Sequence, residues 1–390
     1  MRILITSTTY SPATNGQAVF TKNLAEGLAK RGHEVVAIIP ANEGHAAYTK
    51  QRNGVRVEGL RSFGFDLIKV EAYHSLFSGA AIKRIMDDFQ PQVVHIQDHY
   101  PLSREVLSAA KQRHIKLVGT NHFMPENIAA FVPGLSSIKP LYQWIAWGWV
   151  LSAYNQMDVV TVQSRVSAEI IRSHGLKVPV FPVSCGLDLN RFHLDPTIDR
   201  RACRQHYGID PDKIVILFVG RVDKEKRVDV LLNAMARLKR DDIQLVVAGQ
   251  GTWLNHYQKL ANKLQLGSRV KFTGFVPDLN ALLNSVDIFS MPSEAELLSI
   301  ASLEAMASGR PLLLADAVAL PDLVTPGENG YLFKPGDSDD AARYINLLAD
   351  QRDKWEAMGK VSVEKAQYHG LENTISRYEA LYEDVLKKNP

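Results

Sequence analysis

The sequence predicts an α/β protein made of two doubly wound domains, each with a parallel sheet covered by helices on both faces. Three observations carry this. Short β-branched runs alternate with helical periodicity, and the alternation breaks at Pro179–Arg191 and then restarts. The length, 390 residues, suits two or three domains that each bury a core of their own.

In the first half, Arg2–Thr6, Glu34–Ile39, Val93–Ile96, Leu117–Thr120 and Val159–Val162 are strand-like. Helical patterns lie between them at Ala18–Lys30, Ser78–Phe89, Arg104–Gln112, Lys139–Gln156 and Ala168–His174. After the break, Ile214–Val219, Gln244–Ala248, Val270–Phe272, Ile288–Ser290 and Pro311–Leu314 read as strands. Asp229–Arg240, Trp253–Leu264, Leu279–Asn284 and Ile300–Ser308 read as the helices between them. The tail from Ser338 to Lys388 is helical, and Glu372–Lys387 has enough apolar residues to dock across a domain junction. The expected domains are therefore 1–190, joined by about 371–390, and 191–370. Sheets of this kind bind ligands at the carboxyl ends of their strands, here expected to face a common cleft.

Composition narrows the function classes. At 46% hydrophobic and 22% charged, the chain is ordinary for a globular protein. Residues 1–190 hold 19 Lys/Arg against 14 Asp/Glu, and 191–390 hold 26 against 28, within a net charge of +3. This bias is too small for nucleic acid; it suits either a solvated surface or an anionic membrane face. Two cysteines, Cys185 and Cys203, lack metal-site spacing and fit free thiols in a reducing cytosol. Met1-Arg2-Ile3-Leu4-Ile5 runs straight into a strand, so no signal peptide is expected.

The segment Ser293–Pro311 is the richest in chemistry. Glu296 and Glu304 flank a helix start that Ser293 or Ser299 is placed to cap, and Gly309 with Pro311 ends the helix. Side chains of the first turns lean toward the N-terminus, so Glu304 is expected to reach the volume near Glu296. Free N–H groups there, at Leu298, Ser299 and Ile300, would hold a phosphate, and the carboxylates would accept from sugar hydroxyls. Gly220 permits a tight exit from the strand Ile214–Val219, and Arg221 with Lys226 would clamp a diphosphate. Gly249 in Ala248-Gly249-Gln250-Gly251 is either a close-approach point for a nucleotide or a plain turn. Val276, in Phe272–Pro277, would present backbone groups to a base.

In the first half, Asn15 and Gly16 precede a helix, where a glycine leaves room for a ligand at the backbone or simply turns the chain. His122 ends a strand within the polar run Gly119–Asn127 and reads as functional. His95 and His99 either line the same wall or are structural. Asp337-Ser338-Asp339 has a carboxylate spacing that suits a cation, but its place before a helix makes it a cap, so no metal site is expected. The run Leu141–Leu151, with Trp144, Trp147 and Trp149, is too short to span a bilayer. It reads first as core, and second as an interfacial lining for a lipid acceptor.

Together these elements resemble the retaining glycosyltransferases of family 4, with the two-domain GT-B fold. The resemblance spans nearly the whole chain. It rests on the Gly16 loop, the turn Arg31-Gly32-His33-Glu34-Val35, the Gly220-Arg221 and Glu225-Lys226 loop, and the Glu296-x7-Glu304 element. It implies that Arg221 and Lys226 bind the donor diphosphate, Glu304 the ribose and Glu296 the transferred sugar, with His122 near the reacting centre. It also implies a C-terminal helix crossing back to the first domain. Thr120–Asn127 and Ala295–Ala301 look like the diacylglycerol α-glucosyltransferase branch, whose members are peripheral membrane enzymes. Three positions depart from the family pattern, Asn15, Cys185 and Arg227. Asn15 lies on the acceptor side.

The expected activity is retaining transfer of a hexose, glucose from UDP-glucose, to a lipid hydroxyl such as that of diacylglycerol, with no metal or other cofactor. Asn15, His95, His122 and Trp144 would meet the acceptor. The protein would sit in the cytoplasm on the anionic inner membrane face, without a nucleic-acid partner. The same donor chemistry on a soluble acceptor, and a silent sugar-nucleotide-binding protein, are the competing readings.

Overall fold

Strands with both faces buried read as continuous apolar runs, which is what a helix-covered parallel sheet requires. The computed structural model, which describes residues 1–12, 15–64, 73–125 and 139–388, shows this twice. The chain divides into one unit of Met1–Gly186 with Leu371–Pro390 and a second of Leu187–Gly370.

The first unit contains β1 (Arg2–Thr6), β2 (Glu34–Pro40), β3 (Tyr48–Arg52), β4 (Val55–Leu60), β5 (Phe63–Gly64), β6 (Tyr73–His74), β7 (Val93–Ile96), β8 (Lys116–Thr120), β9 (Val159–Val162) and β10 (Val180–Pro182). Its main sheet runs β10-β9-β8-β7-β1-β2-β4-β3. Every pair is parallel except β3 with β4. Sequence patterning misses β3 because this edge strand, Tyr-Thr-Lys-Gln-Arg, is polar and largely exposed. Around the sheet lie α1 (Gly16–Lys30), α2 (Gly79–Phe89), α3 (Pro101–Gln112), α4 (Lys139–Tyr154) and α5 (Arg165–Ser173). The order of crossovers reverses between β1 and β7, the position where doubly wound sheets open a crevice.

The second unit contains β11 (Ile214–Val219), β12 (Ile243–Ala248), β13 (Val270–Gly274), β14 (Ile288–Met291), β15 (Leu312–Ala315) and β16 (Gly330–Phe333). The sheet is wholly parallel in the order β13-β12-β11-β14-β15-β16, with its switch point between β11 and β14. Its helices are α6 (Arg200–His206), α7 (Val228–Arg237), α8 (Leu254–Lys263), α9 (Leu279–Ser285), α10 (Ile300–Ala307), α11 (Ser338–Asp350) and α12 (Trp355–Tyr368). Asp337 accepts from the amides of Asp339 and Asp340, so the Asp-Ser-Asp run is a helix cap.

The last helix, α13 (Leu371–Lys387), belongs to the first unit. Its Tyr378 and Tyr382 are fully buried. The Tyr378 hydroxyl lies 3.1 Å from Thr120 Oγ1 and 2.9 Å from Thr161 Oγ1, and that of Tyr382 lies 2.7 Å from His95 Nδ1. On its outer side Arg31 bonds Glu372 and Glu379, and His33 Nε2 is 2.8 Å from Glu379. The Arg31–Val35 turn thus grips this helix. Cys185 and Cys203 are both free thiols.

Candidate active site

In the second unit, the loops leaving β11 and β14 stand on either side of the switch point, and each carries charge. After β11 the chain turns at Gly220 and forms a short 3₁₀ turn over Lys224–Lys226. After β14 comes the loop holding Glu294 and Glu296. Lys226 Nζ bonds Glu296 Oε1 at 2.6 Å and lies 3.8 Å from Glu225, and all three side chains are largely buried. Burial pulls the Lys226 ammonium down, but Glu296 and then Glu225 outweigh it and hold the pKa above its ordinary value. Arg221, more than half exposed, reaches Asp223 at 3.1 Å and Glu225 at 2.8 Å. Two cations predicted to hold phosphate therefore stand among three carboxylates.

Arg227 explains one departure from the family pattern. It adopts φ 52° and ψ 39°, the left-handed region that favours glycine. Its guanidinium bonds Glu294 and Asp229, which ties the β11 loop to the loop carrying Glu296.

Helix α10 begins where the sequence places it. Of the two candidate caps, Ser299 serves, accepting from the Ser302 amide at 3.2 Å, and Gly309 at φ 71° lets the chain leave. Leu298 and Ser299 are buried, and Ile300 opens the helix. Glu304 lies in the second turn. Burial pushes its carboxyl up to about 7, partly offset by Arg191. Among the described residues no side chain hydrogen-bonds or ion-pairs with that carboxylate; the Ser308 hydroxyl donates to the Glu304 backbone carbonyl at 2.9 Å.

Gly249 has a packing reason of its own. A Cβ there would collide with the Gly220 carbonyl oxygen, and one at Gly251 with the Val222 backbone. Glycine at these positions lets the β12 loop lie against the β11 loop. Buried Asp223 fastens the two by accepting from the Thr252 amide and hydroxyl at 2.9 and 2.8 Å. Sequence reading missed Asp223, whose only signal is its place two residues after Arg221. Val276 is buried beside exposed Phe275.

In the first unit, Asp98 follows β7 and is the hub of the crevice. It accepts from the Thr8 amide at 2.6 Å, Gln17 Nε2 at 2.9 Å and Ser103 Oγ at 2.7 Å. His122, at the end of β8, has both ring nitrogens engaged, Nε2 2.8 Å from Gln97 Oε1 and Nδ1 2.9 Å from Gln163 Nε2. Phe20 lies against its ring at 4.9 Å. Burial lowers His122 to about 4, and Asp98 opposes that shift.

His95 requires correction as an acceptor-binding residue. It is 0% exposed, with Nδ1 and Nε2 each 2.7 Å from the hydroxyls of Tyr382 and Thr120. A central strand position closed by α13 leaves it nothing to offer an acceptor. His99 is also buried, against Tyr100 and Phe123. Asn15 caps α1 by accepting from the Ala18 amide at 2.9 Å, and Gly16 is the first residue of that helix. The tryptophan run divides. Trp147 is in the core, whereas Trp144 is 76% and Trp149 51% exposed, so the core reading holds for one of the three. The rest of the polar run after Pro125, Glu126 and Asn127, lies outside the described residues.

Comparison with known proteins agrees with this architecture. The family description "Glycosyltransferase Family 4" matches residues 14–191, and "Glycosyl transferases group 1" matches 199–364. An alpha-monoglucosyldiacylglycerol synthase of Streptococcus pneumoniae is 26% identical over 100% of this chain and 87% of its own. A D-inositol 3-phosphate glycosyltransferase of Catenulispora acidiphila is 30% identical over 74% of this chain and 70% of its own. A GDP-mannose-dependent alpha-mannosyltransferase of Corynebacterium glutamicum is 26% identical over 85% and 76%. Among solved structures, sucrose-phosphate synthase of Thermosynechococcus elongatus superposes with a TM-score of 0.80 at 19% identity, covering 98% of both chains. The Anabaena HepE protein in complex with UDP-glucose gives 0.78 at 18%, covering 98% of this chain and 100% of its own.

Proposed function

Because the chain belongs to the group 1, family 4 glycosyltransferases of the GT-B type, we propose that it moves glucose from UDP-glucose, with retention, to the hydroxyl of a lipid such as diacylglycerol. The observation that carries the donor half is the Lys226–Glu296 pair, with Arg221 beside it, at the switch point of the second sheet. A diphosphate entering there takes the place of carboxylates as the partner of Lys226 and Arg221. Glu296, released from Lys226, accepts from sugar hydroxyls, and Glu304 accepts from the ribose. Gly249 and Val276 border the nucleotide.

Departure of the diphosphate is the costly step. The bond between the anomeric carbon and the β-phosphate oxygen breaks while the acceptor oxygen bonds the same carbon on the same face. The acceptor's proton passes to the departing phosphate. Lys226, Arg221 and the α10 N-terminus stabilise the growing charge, so no metal is needed. Asp337, in the carboxylate run whose spacing suited a cation, accepts from two backbone amides as a helix cap. A test with chelator present checks this point.

On the acceptor side, Asn15, His122 and Trp144 belong to the first unit. Leu141, Trp144, Ile145 and Trp149 are each more than half exposed along α4, and this supports a lipid acceptor and residence at the inner membrane face. Among the described residues no helix is long and apolar enough to cross a membrane. A second reading keeps the donor chemistry and uses a soluble acceptor, as the name of the inositol-phosphate relative suggests. Incubation with a panel of sugar nucleotides and lipid extracts, followed by mass identification of the product and its anomeric configuration, tests the proposal. A hexosyl lipid of α configuration supports it; product only with water-soluble acceptors, or only from GDP-sugars, overturns the corresponding half.

A further inference from the structure

The hydrogen bonds around His122 fix more than its position. Gln163 Nε2 lies 2.9 Å from the Asn121 carbonyl oxygen, an atom that only accepts, so this end of the amide is the NH₂. Its other hydrogen points at His122 Nδ1, which must therefore be the bare, accepting nitrogen. The proton is left to Nε2, which meets the oxygen of Gln97. The two amides agree from opposite sides of the ring. A buried Gln163 Oε1 without a partner among the described residues shows the cost of this orientation: the amide is turned for its donors. Gln97 is held in turn, its Nε2 lying 3.3 and 3.2 Å from the two nitrogens of His95, which Tyr382 and Thr120 clamp.

We propose that Gln97 and Gln163 are positioning residues that hold His122 as a neutral imidazole with its proton on Nε2, so that it serves as a hydrogen-bond donor and never as an acid or base. A doubly protonated ring would aim Nδ1–H at the Gln163 NH₂, donor against donor. Among charged and titratable neighbours, Asp98 favours protonation of His122 and burial opposes it, while His122 in turn disfavours the charged form of His95. The relevance to transfer rests on the glycosyltransferase reading above; the tautomer does not.

Long-range ¹H–¹⁵N NMR on histidine-labelled full chain tests this, with His122 assigned as the resonance absent from His122→Asn. In the wild type, Nδ1 should be unprotonated and Nε2 protonated throughout pH 5 to 8. Gln163→Glu places a carboxylate on Nδ1 and should move the His122 midpoint up by more than about one pH unit. A wild-type His122 carrying its proton on Nδ1, or titrating between pH 6 and 7, overturns the proposal, as does a Gln163→Glu spectrum unchanged at His122. The wild-type spectrum decides alone if the variant does not fold. Transfer measured on the same samples separates the two readings: the stated tautomer in a protein without transferase activity sinks the enzymatic assignment and leaves the positioning assignment standing.

Discussion

At the scale of single residues, Lys226 and Glu304 make opposite uses of burial. Lys226 is largely buried but paired, and its charge is retained because Glu296 stands 2.6 Å away. Removing it should cost the charge-stabilising part of catalysis: Lys226→Ala should lower transfer by about 10²–10³-fold, as loss of a preorganised stabiliser of developing charge does. Near wild-type turnover would remove Lys226 from the diphosphate site. Glu304 is half-buried, and among the described residues its carboxylate has no hydrogen-bonding partner; loss of solvent raises that carboxyl to about 7. The unfolded chain ionises Glu304 near pH 4.5, so the folded state loses stability relative to it as pH rises from there to about 7, and the full penalty applies above. Glu304→Gln resembles the protonated form. It should leave Tm unchanged at pH 4 and raise it by several degrees at pH 8, while weakening donor binding. A Tm gain equal at both pH values would contradict this origin.

At the scale of elements, what was readable in the sequence was whatever leaves a local pattern. Strands buried on both faces are short β-branched runs, and α10 announces itself through Ser299, Gly309 and Pro311. Glu296 and Lys226 could be nominated because charged residues at strand ends are few, but their direct pairing needed the β11–β14 adjacency, which no local pattern encodes. The same holds for His95, whose fate depends on Tyr382, 287 residues away. Gln163 was unreadable for another reason: a glutamine after a strand looks like any solvated turn until the ring it holds is seen. Helix α13 gives this long-range dependence a measurable consequence. Tyr378→Ala deletes a fully buried ring and two hydroxyl contacts and should cost about 3–5 kcal/mol by denaturant unfolding. Glu372→Ala breaks an ion pair in which the glutamate is 74% exposed and should cost under about 1 kcal/mol. Equal effects would mean that α13 is held by its charged rim and not by its buried tyrosines.

At the scale of the whole molecule, the open question is the phase in which the acceptor is met. Charge alone is a weak guide, since the chain carries only +3 overall, with the excess confined to residues 1–190. Apolar exposure is more decisive. Helix α4 leaves Trp144 and Trp149 out of its core while committing Trp147 to it, so one face packs and another is left exposed. Each tryptophan offers on the order of 200 Å² of ring surface, and about half of that entering the interfacial region at 25 cal/mol per Å² yields ~2–3 kcal/mol. Two such rings correspond to a partition change well above tenfold, more than a charge of +5 contributes once salt screens it. The wild-type protein should therefore sediment with anionic phospholipid vesicles and remain largely bound when ionic strength is raised. The double substitution Trp144→Ser with Trp149→Ser should release it by more than tenfold, with donor hydrolysis unchanged and thermal stability lowered only by loss of the Arg104 guanidinium's contact, 3.8 Å from the centre of the Trp149 ring. Binding that vanishes in salt and ignores the double substitution would assign the contact to charge. A wild-type protein left in the supernatant would point to the soluble acceptor.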